Sequence, residues 1–153
     1  MLKPGMSQSL ANILVHLIFS TKHREPWIHD EVRPQLNAYV VGTLANHQSP
    51  SVATNSVKDH MHILFALSKT YSISKIVEEV KTDSSRWMKK QGIRGFHWQS
   101  GYGAFSIGQS QVAAVKKYIA RQEQHHRRVS FQEEFRQFLE RYQVPYDERY
   151  VWD

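Results

Sequence analysis

The order of short apolar runs and amphipathic segments constrains the fold of this chain most strongly. The run Asn12–Thr21 is rich in β-branched and aromatic residues and bounded by polar ones, which predicts a buried strand. Between His29 and His47, apolar residues recur every three or four positions and predict a first helix with one apolar stripe. Ser51–Lys58 and His60–Leu67 then predict two strands with a tight connection, and therefore a hairpin.

The second half of the chain continues this alternation. Ser72 or Ser74 can cap a second helix that reaches to about residue 90, and the aromatic, glycine-rich segment Phe96–Ile107 predicts a bent final strand. A third helix over about 109–127 follows, and the spacing of Phe131, Phe135, Phe138 and Leu139 predicts a fourth, short helix. This order predicts an α+β fold of the ferredoxin-like, split β-α-β type, with an antiparallel sheet, helices on one face and an extra C-terminal helix.

Length and composition limit the classes of protein to consider. A chain of 153 residues is about the size of one domain, so we expect a single domain over 1–153 with tails at 1–10 and 142–153. The formal net charge of +6 makes nucleic acid the first candidate partner, although a merely basic protein would have the same charge. The absence of cysteine leaves only histidine, carboxylate and amide groups to hold a metal. The chain has neither an apolar signal core at its start nor an apolar run long enough for a membrane span, which favours a cytoplasmic protein.

A pair of histidines lies in the second strand of the predicted hairpin. Side chains alternate between the two faces of a strand, so His60 and His62 project from the same face and can share one metal ion. Two histidines at this spacing are also common on surfaces without any ion. The pair therefore indicates a metal site only if other ligands converge on it.

The third predicted helix contains a tyrosine and a glutamine four positions apart. Tyr118 and Gln122 lie within about 40° of each other on a helical wheel and share a face. A phenol can attack a phosphorus atom while a metal polarises the phosphoryl oxygen, and the amide of Gln122 offers a third metal ligand. Mg²⁺ or Mn²⁺ suits such a site, although imidazoles also accept Zn²⁺. The alternative is an amphipathic tyrosine that covers the edge of the core.

Taken together, these motifs resemble a known family. It comprises the single-tyrosine, His-hydrophobe-His transposases of the smallest bacterial insertion sequences and their relatives associated with repetitive extragenic palindromes (REP). The resemblance covers nearly the whole chain and is specific because the pieces occur in order with these separations. They are His16–Lys22, Lys58–Leu64, Val80–Arg86, Trp98–Gly108 and Val115–Gln122.

The resemblance implies roles for the residues singled out above. His60, His62 and Gln122 would bind the divalent metal, and Tyr118 would be the nucleophile that forms a 5′-phosphotyrosine. The implied substrate is single-stranded DNA with hairpins at the element ends, and the implied assembly is a homodimer, with the active site completed in cis or in trans. The chain departs from the usual pattern at Thr82-Asp83, where the family commonly has glycine.

Basic residues near the predicted site are candidate phosphate contacts, although any one of them can equally belong to a solvated helix face. Those proposed to bind DNA are Lys22, Arg24, Lys81, Arg86, Lys117 and Arg121. Tyr102, Trp98 and Phe105 are candidates for stacking on unpaired bases, with burial in the core as the alternative.

Three other functions fit parts of the pattern. A domesticated protein that binds nucleic-acid hairpins without strand transfer would keep the fold and the charge. A replication or conjugation nickase shares both motifs but is usually longer. A metal-binding regulatory domain of ferredoxin-like fold would have no salt-sensitive affinity for DNA.

Overall fold

A four-stranded antiparallel sheet forms the centre of the computed structural model, which describes residues 7–153. The strands are β1 (Leu14–Ser20), β2 (Ser51–Ser56), β3 (His60–Ala66) and β4 (Gly103–Ile107), and they lie in the order β2-β3-β1-β4. All three neighbouring pairs are antiparallel, and β2 and β3 form the predicted hairpin. The ferredoxin-like, split β-α-β prediction with an antiparallel sheet is confirmed, but helices cover both faces of the sheet instead of the one face predicted. The part of the predicted N-terminal tail over residues 1–6 lies outside the described residues.

Five α-helices accompany the sheet in the described part of the chain. They are α1 (Arg33–Asn46), α2 (Ile73–Lys90), α3 (Val112–Ala120), α4 (Gln122–His125) and α5 (Phe131–Arg141), with short 3-10 turns at Lys22–Arg24 and Gln109–Gln111. The side chain of Ser72 accepts a hydrogen bond from the backbone N–H of Lys75, so Ser72 rather than Ser74 caps α2. None of the described helices is both long and apolar enough to cross a bilayer.

Strand alternation sends the side chains of β1 and β3 into two different environments. One face of the sheet packs against α1 and α2 through Leu17 and Phe19 of β1 and Met61 and Ile63 of β3. The opposite face carries the other set of side chains, including both histidines of β3, and is covered by α3 and α5. The central strand β1 is consequently buried along its whole length.

The helix α5 covers the second face with aromatic side chains. Phe131, Phe135 and Phe138 recur along one side of the helix and pack with Ile18 and Phe105 of the sheet. The chain after α5 forms turns, and Trp152 packs near Phe131 and Phe135. The C-terminal helix predicted from the phenylalanine spacing is therefore an integral wall of the second core.

Two element boundaries differ from the sequence predictions. The final strand begins at Gly103 instead of Phe96, because Phe96 and Trp98 turn into the core beside α1 and α2 and only an isolated bridge joins Trp98 to Thr21. The single helix predicted over 109–127 begins as a 3-10 turn and is interrupted at Arg121, whose φ of −100° and ψ of 19° are not helical. The interruption redirects the chain, and Gln122 beyond it is fully buried.

Replacing Gly103 with alanine should destabilise the contact between the sheet and α5. An added Cβ would lie 2.6 Å from the ring of Phe135 and 3.1 Å from the ring of Phe105. Overpacking of this kind costs about 1–3 kcal/mol of unfolding free energy, measurable by urea denaturation. Gly42→Ala is the matched control, because nothing lies within 4 Å of its added methyl group and α1 should gain about 0.5–1 kcal/mol. Equal effects of the two substitutions would contradict this packing.

Candidate active site

The two histidines of β3 are completely buried and point away from the core formed with α1 and α2. His60 and His62 each have 0% of their surface exposed. The Nδ1 atom of His60 lies 2.7 Å from Oδ1 of Asp59, and Nδ1 of His62 lies 2.8 Å from Nε2 of His16. These contacts orient both rings so that each Nε2 faces the space below α5. A histidine held at one ring nitrogen by a polar partner is the usual arrangement of a metal ligand.

A carboxylate from α5 enters this space. Glu134 is 1% exposed, and its Oε1 atom lies 2.8 Å from Nε2 of His62 and 3.5 Å from Nε2 of His60. His126, just after α4, brings its Nε2 atom to 3.2 Å from the same oxygen and 3.0 Å from Nε2 of His60. Three imidazole nitrogens thus converge on one carboxylate oxygen.

Four of these side chains form a group that could hold a metal ion. The ligand atoms of His60, His62, His126 and Glu134 all lie within 4.8 Å of one another. The Oε1 atom of Gln122 lies 3.4 Å from Nε2 of His60, so the amide predicted as a ligand borders the same space. Imidazole nitrogens with a carboxylate and an amide oxygen are ligands that divalent cations accept in proteins.

The side chain of Tyr118 reaches the same carboxylate from α3. Its hydroxyl group donates a hydrogen bond to Oε2 of Glu134, and it lies 3.3 Å from Nε2 of His125. The ring of Tyr118 stands edge-on to that of His62, with 5.8 Å between centroids. The fold therefore brings Tyr118 and Gln122 together with the histidine pair, which lies more than fifty residues earlier in the same chain.

Burial determines the protonation states of His62 and His16. It lowers the pKa of His62 to about 4, although the negative charge of Glu134 acts in the opposite direction. Burial, aided by His62, also lowers the pKa of His16 to about 3. Both rings are therefore neutral near pH 7, the form of imidazole that binds metals.

The acidic groups respond to the same surroundings. Burial alone would raise the pKa of Glu134, but the nearby His62, His126 and His60 lower it below its ordinary value, so Glu134 is a carboxylate. Burial and the charge of Glu134 raise the pKa of Tyr118 well above its ordinary value, so its phenol is protonated. The nucleophile candidate is held in a resting form next to a proton acceptor.

An open, basic cavity of about 790 Å³ adjoins Tyr118. Lys117 and Arg121, both predicted to bind DNA, line it together with Arg127 and Arg128, and all four side chains are exposed. Their four positive charges lie around the cavity that Tyr118 also lines. This arrangement attracts phosphates.

The other predicted DNA contacts lie elsewhere. Lys22 lines a smaller cavity beside the C-terminal residues, and Arg24 donates a hydrogen bond to the carbonyl of Trp152. Arg86 is exposed on α2. The ammonium group of Lys81 lies 2.7 Å from the carbonyl oxygens of both Gln99 and Gly101, and burial lowers its pKa to about 8.

The aromatic residues considered for base stacking differ in exposure. Trp98 and Phe105 are buried in the two cores, and the indole N–H of Trp98 donates to Ser84. Tyr102 is 38% exposed. Only Tyr102 has the accessible ring that stacking on a base requires.

Sequence reasoning missed two members of the cluster, His126 and Glu134. Glu134 follows Phe131 by three positions and precedes Phe138 by four, so it is a charged residue on the apolar stripe of α5. Charged residues at such positions are rarely buried without a partner. The placement of Glu134 on an apolar stripe could therefore have indicated a buried functional residue. Nothing in the local pattern distinguished His126 from the neighbouring His125.

Comparison with known proteins identifies the family. The family model "Transposase IS200 like" matches residues 9–122, which include the four strands, both β3 histidines, Tyr118 and Gln122. The chain belongs to the IS200-like transposase family. His126 and Glu134 lie outside the segment that the family model matches. A comparison with curated proteins gave no match.

Two solved structures share the fold of this family member. A candidate transposase from Deinococcus radiodurans R1 is 24% identical, with a TM-score of 0.60 over 79% of this chain and 98% of that one. A REP-associated tyrosine transposase, bound to a REP hairpin, is 13% identical, with a TM-score of 0.59 over 82% of this chain and 74% of that one. At these identities the likeness concerns the fold alone. It agrees with the antiparallel α+β architecture described above.

Proposed function

We propose that this family member cuts and rejoins single-stranded DNA through Tyr118, with a 5′-phosphotyrosine intermediate. The observation that carries the proposal is the convergence of the Tyr118 hydroxyl and the nitrogens of His60 and His62 on one buried carboxylate. A nucleophile beside a set of metal-binding groups is the combination that phosphodiester transesterification requires.

The proposed step conserves one phosphodiester bond. The phenol oxygen of Tyr118 attacks the scissile phosphorus, the bond from phosphorus to the 3′-oxygen breaks, and that oxygen leaves with the electron pair and is protonated to a 3′-hydroxyl. Glu134, which already accepts a hydrogen bond from the phenol, is positioned to take the phenolic proton. The reverse attack by a 3′-hydroxyl on the phosphotyrosine rejoins DNA without a nucleotide cofactor.

The proposed cofactor is a divalent metal ion, Mg²⁺ or Mn²⁺. His60, His62 and Gln122 would hold it, because the two imidazoles and the amide are all buried and border one space. When bound, the ion supplies positive charge that stabilises the developing charge on the phosphoryl oxygens. Asp59 orients His60, and His16 orients His62.

The proposed substrate is a single strand carrying a hairpin near the cleavage point. Lys117 and Arg121 line the cavity beside Tyr118 and would contact phosphates there. An unpaired strand is flexible enough to bring a phosphate to a half-buried phenol, which a stiff duplex is not. The similar REP-associated transposase is described as bound to a hairpin, which supports this substrate class.

We further propose that the chain acts as a single domain within a homodimer. β2 and β4 are the two edges of the sheet, and neither has a strand neighbour on its outer side in the described residues. An unpaired edge is a template for strand addition by a second copy. The contact of Tyr118 with its own chain's Glu134 favours an active site assembled in cis.

The test is incubation of the full chain with a hairpin-bearing single strand and Mn²⁺. We expect a covalent protein–DNA species on denaturing gels and a released strand that ends in a 3′-hydroxyl, with no product from the fully paired duplex. Release of both fragments with no protein attached, or binding without cleavage, would contradict the proposal. The second outcome would indicate a hairpin-binding protein instead.

A further inference from the structure

The position of Glu134 distinguishes this site from a histidine pair with a single amide. Glu134 presents Oε1 to Nε2 of His62 at 2.8 Å and of His126 at 3.2 Å, while Oε2 accepts the hydrogen bond of Tyr118. One buried side chain thus spans the nitrogen cluster and the proposed nucleophile. Glu134 and His126 both lie beyond position 122, where the match to the family model ends.

An ion pair between Glu134 and one histidine does not account for this arrangement. Burying a carboxylate is costly unless its partners are charged or donate hydrogen bonds, and Glu134 is 1% exposed with the Nε2 atoms of four histidines 2.8–3.5 Å from its oxygens. The Nε2 atoms of His60 and His126 lie 3.0 Å apart, a spacing at which two lone pairs repel unless a proton or a cation lies between them. A cation shared by these nitrogens and the carboxylate satisfies all of them at once.

We infer that Glu134 and His126 are additional ligands of the proposed metal ion, and that Glu134 links the ion to Tyr118. The inference rests on the proposed function, since it concerns the same site. One carboxylate oxygen would face the ion while the other keeps its contact with the phenol. The helix α5 would therefore supply part of the active site as well as a wall of the second core.

This ligand set has a consequence for the choice of metal. Mg²⁺ favours oxygen ligands in octahedral geometry, whereas imidazoles favour first-row transition metals such as Mn²⁺, Co²⁺ and Zn²⁺. Three imidazoles and one carboxylate within 4.8 Å of one another offer more nitrogen than oxygen. We therefore expect Mn²⁺ and Zn²⁺ to bind more tightly than Mg²⁺.

A second cavity reaches the cluster at His126. It has a volume of about 500 Å³ and is lined by Asp59, His126 and Phe131 among others. Tyr118 lines the basic cavity but not this one, and Arg127 and Val129 line both.

The test is calorimetric titration of the full chain with Mn²⁺, Zn²⁺ and Mg²⁺, before and after single substitutions. Glu134→Gln keeps the size of the side chain and removes its charge, and His126→Ala removes one imidazole. Each should weaken Mn²⁺ binding by at least about tenfold, since even outer-shell partners contribute that much. Glu140→Gln, on the exposed side of α5, and His97→Ala, in an exposed loop, are the matched controls and should bind Mn²⁺ as the unmodified chain does.

The outcomes separate this inference from the proposed function. Circular dichroism of each variant establishes that it is folded, and His126→Ala gives a second measurement if Glu134→Gln does not fold. Unchanged Mn²⁺ affinity in a folded variant would overturn the inference, even if Tyr118 forms adducts. Unchanged affinity with faster DNA cleavage in Glu134→Gln would also overturn it and identify the carboxylate as a block on the site. Weakened Mn²⁺ binding in the variants, together with no adduct from the unmodified chain, would support these ligands and contradict the transposase chemistry.

Discussion

Replacing Tyr118 with phenylalanine is expected to lower the yield of covalent protein–DNA product by at least about a thousandfold, the scale on which removal of a nucleophile acts. The substitution removes only the hydroxyl group and leaves the ring in its aromatic surroundings beside His62 and Phe138. Binding of hairpin DNA should change little, because the charges of Lys117 and Arg121 remain. The measurement is quantification of the adduct on denaturing gels, with DNA affinity measured in parallel.

The matched control for this substitution is Tyr142→Phe. Tyr142 belongs to the aromatic cluster between the sheet and α5, where its ring stacks on that of Phe105. It plays no part in the proposed chemistry, so its variant should form the adduct at the original rate. Persistence of the adduct in Tyr118→Phe would show that another group attacks the DNA and would exclude the proposed nucleophile.

Replacing His62 with alanine is expected to reduce both Mn²⁺ binding and adduct formation by at least about a hundredfold. His62 lies at the centre of the cluster, with Glu134 at 2.8 Å on one side and His16 at 2.8 Å on the other. Its removal takes away one proposed ligand and leaves the carboxylate without its shortest nitrogen contact. Calorimetric titration with Mn²⁺ and a time course of adduct formation measure the two losses separately.

Folding must be checked in the same variant. Loss of a buried hydrogen-bonding partner costs about 1–3 kcal/mol, so His62→Ala should be less stable yet still folded. His97→Ala, which removes an exposed imidazole, is the control for both measurements. If His62→Ala were folded and cut DNA at the original rate, the histidine pair would have no role in the reaction.

Local patterns in the sequence were sufficient to predict the sheet and the separate motifs. The period-two alternation of β3 places His60 and His62 on one face, and the structure has both on the face opposite α1 and α2. The phenylalanine spacing after Ser130 likewise predicted α5. These features depend on neighbours within one element, which is why single-sequence reasoning reaches them.

Features that depend on tertiary packing were not predictable in the same way. Aromatic composition predicted a strand from Phe96, but Phe96 and Trp98 are used to fill the core, and pairing begins only at Gly103. No proline or glycine near Arg121 indicates that the helix is interrupted there. Neither boundary could be read from local propensity, because burial against distant elements decides both.

The proposed ligand set shows the same limit. His60 and Gln122 are separated by 62 residues, and Glu134 comes from a helix beyond the matched family segment. The sequence contains the unusual charge on the apolar stripe of α5, yet its partners appear only when α5 packs on β3.

The most direct test of the central claim is localisation of the DNA on the protein. Trypsin cleavage after Lys117 and Arg121 releases the peptide Tyr118-Ile119-Ala120-Arg121, which contains a single tyrosine. After reaction with hairpin-bearing single-stranded DNA and Mn²⁺, followed by nuclease digestion, mass spectrometry should find this peptide carrying a 5′-linked nucleotide on Tyr118. A nucleotide on a different peptide, or cleaved DNA with no modified peptide, would contradict the account.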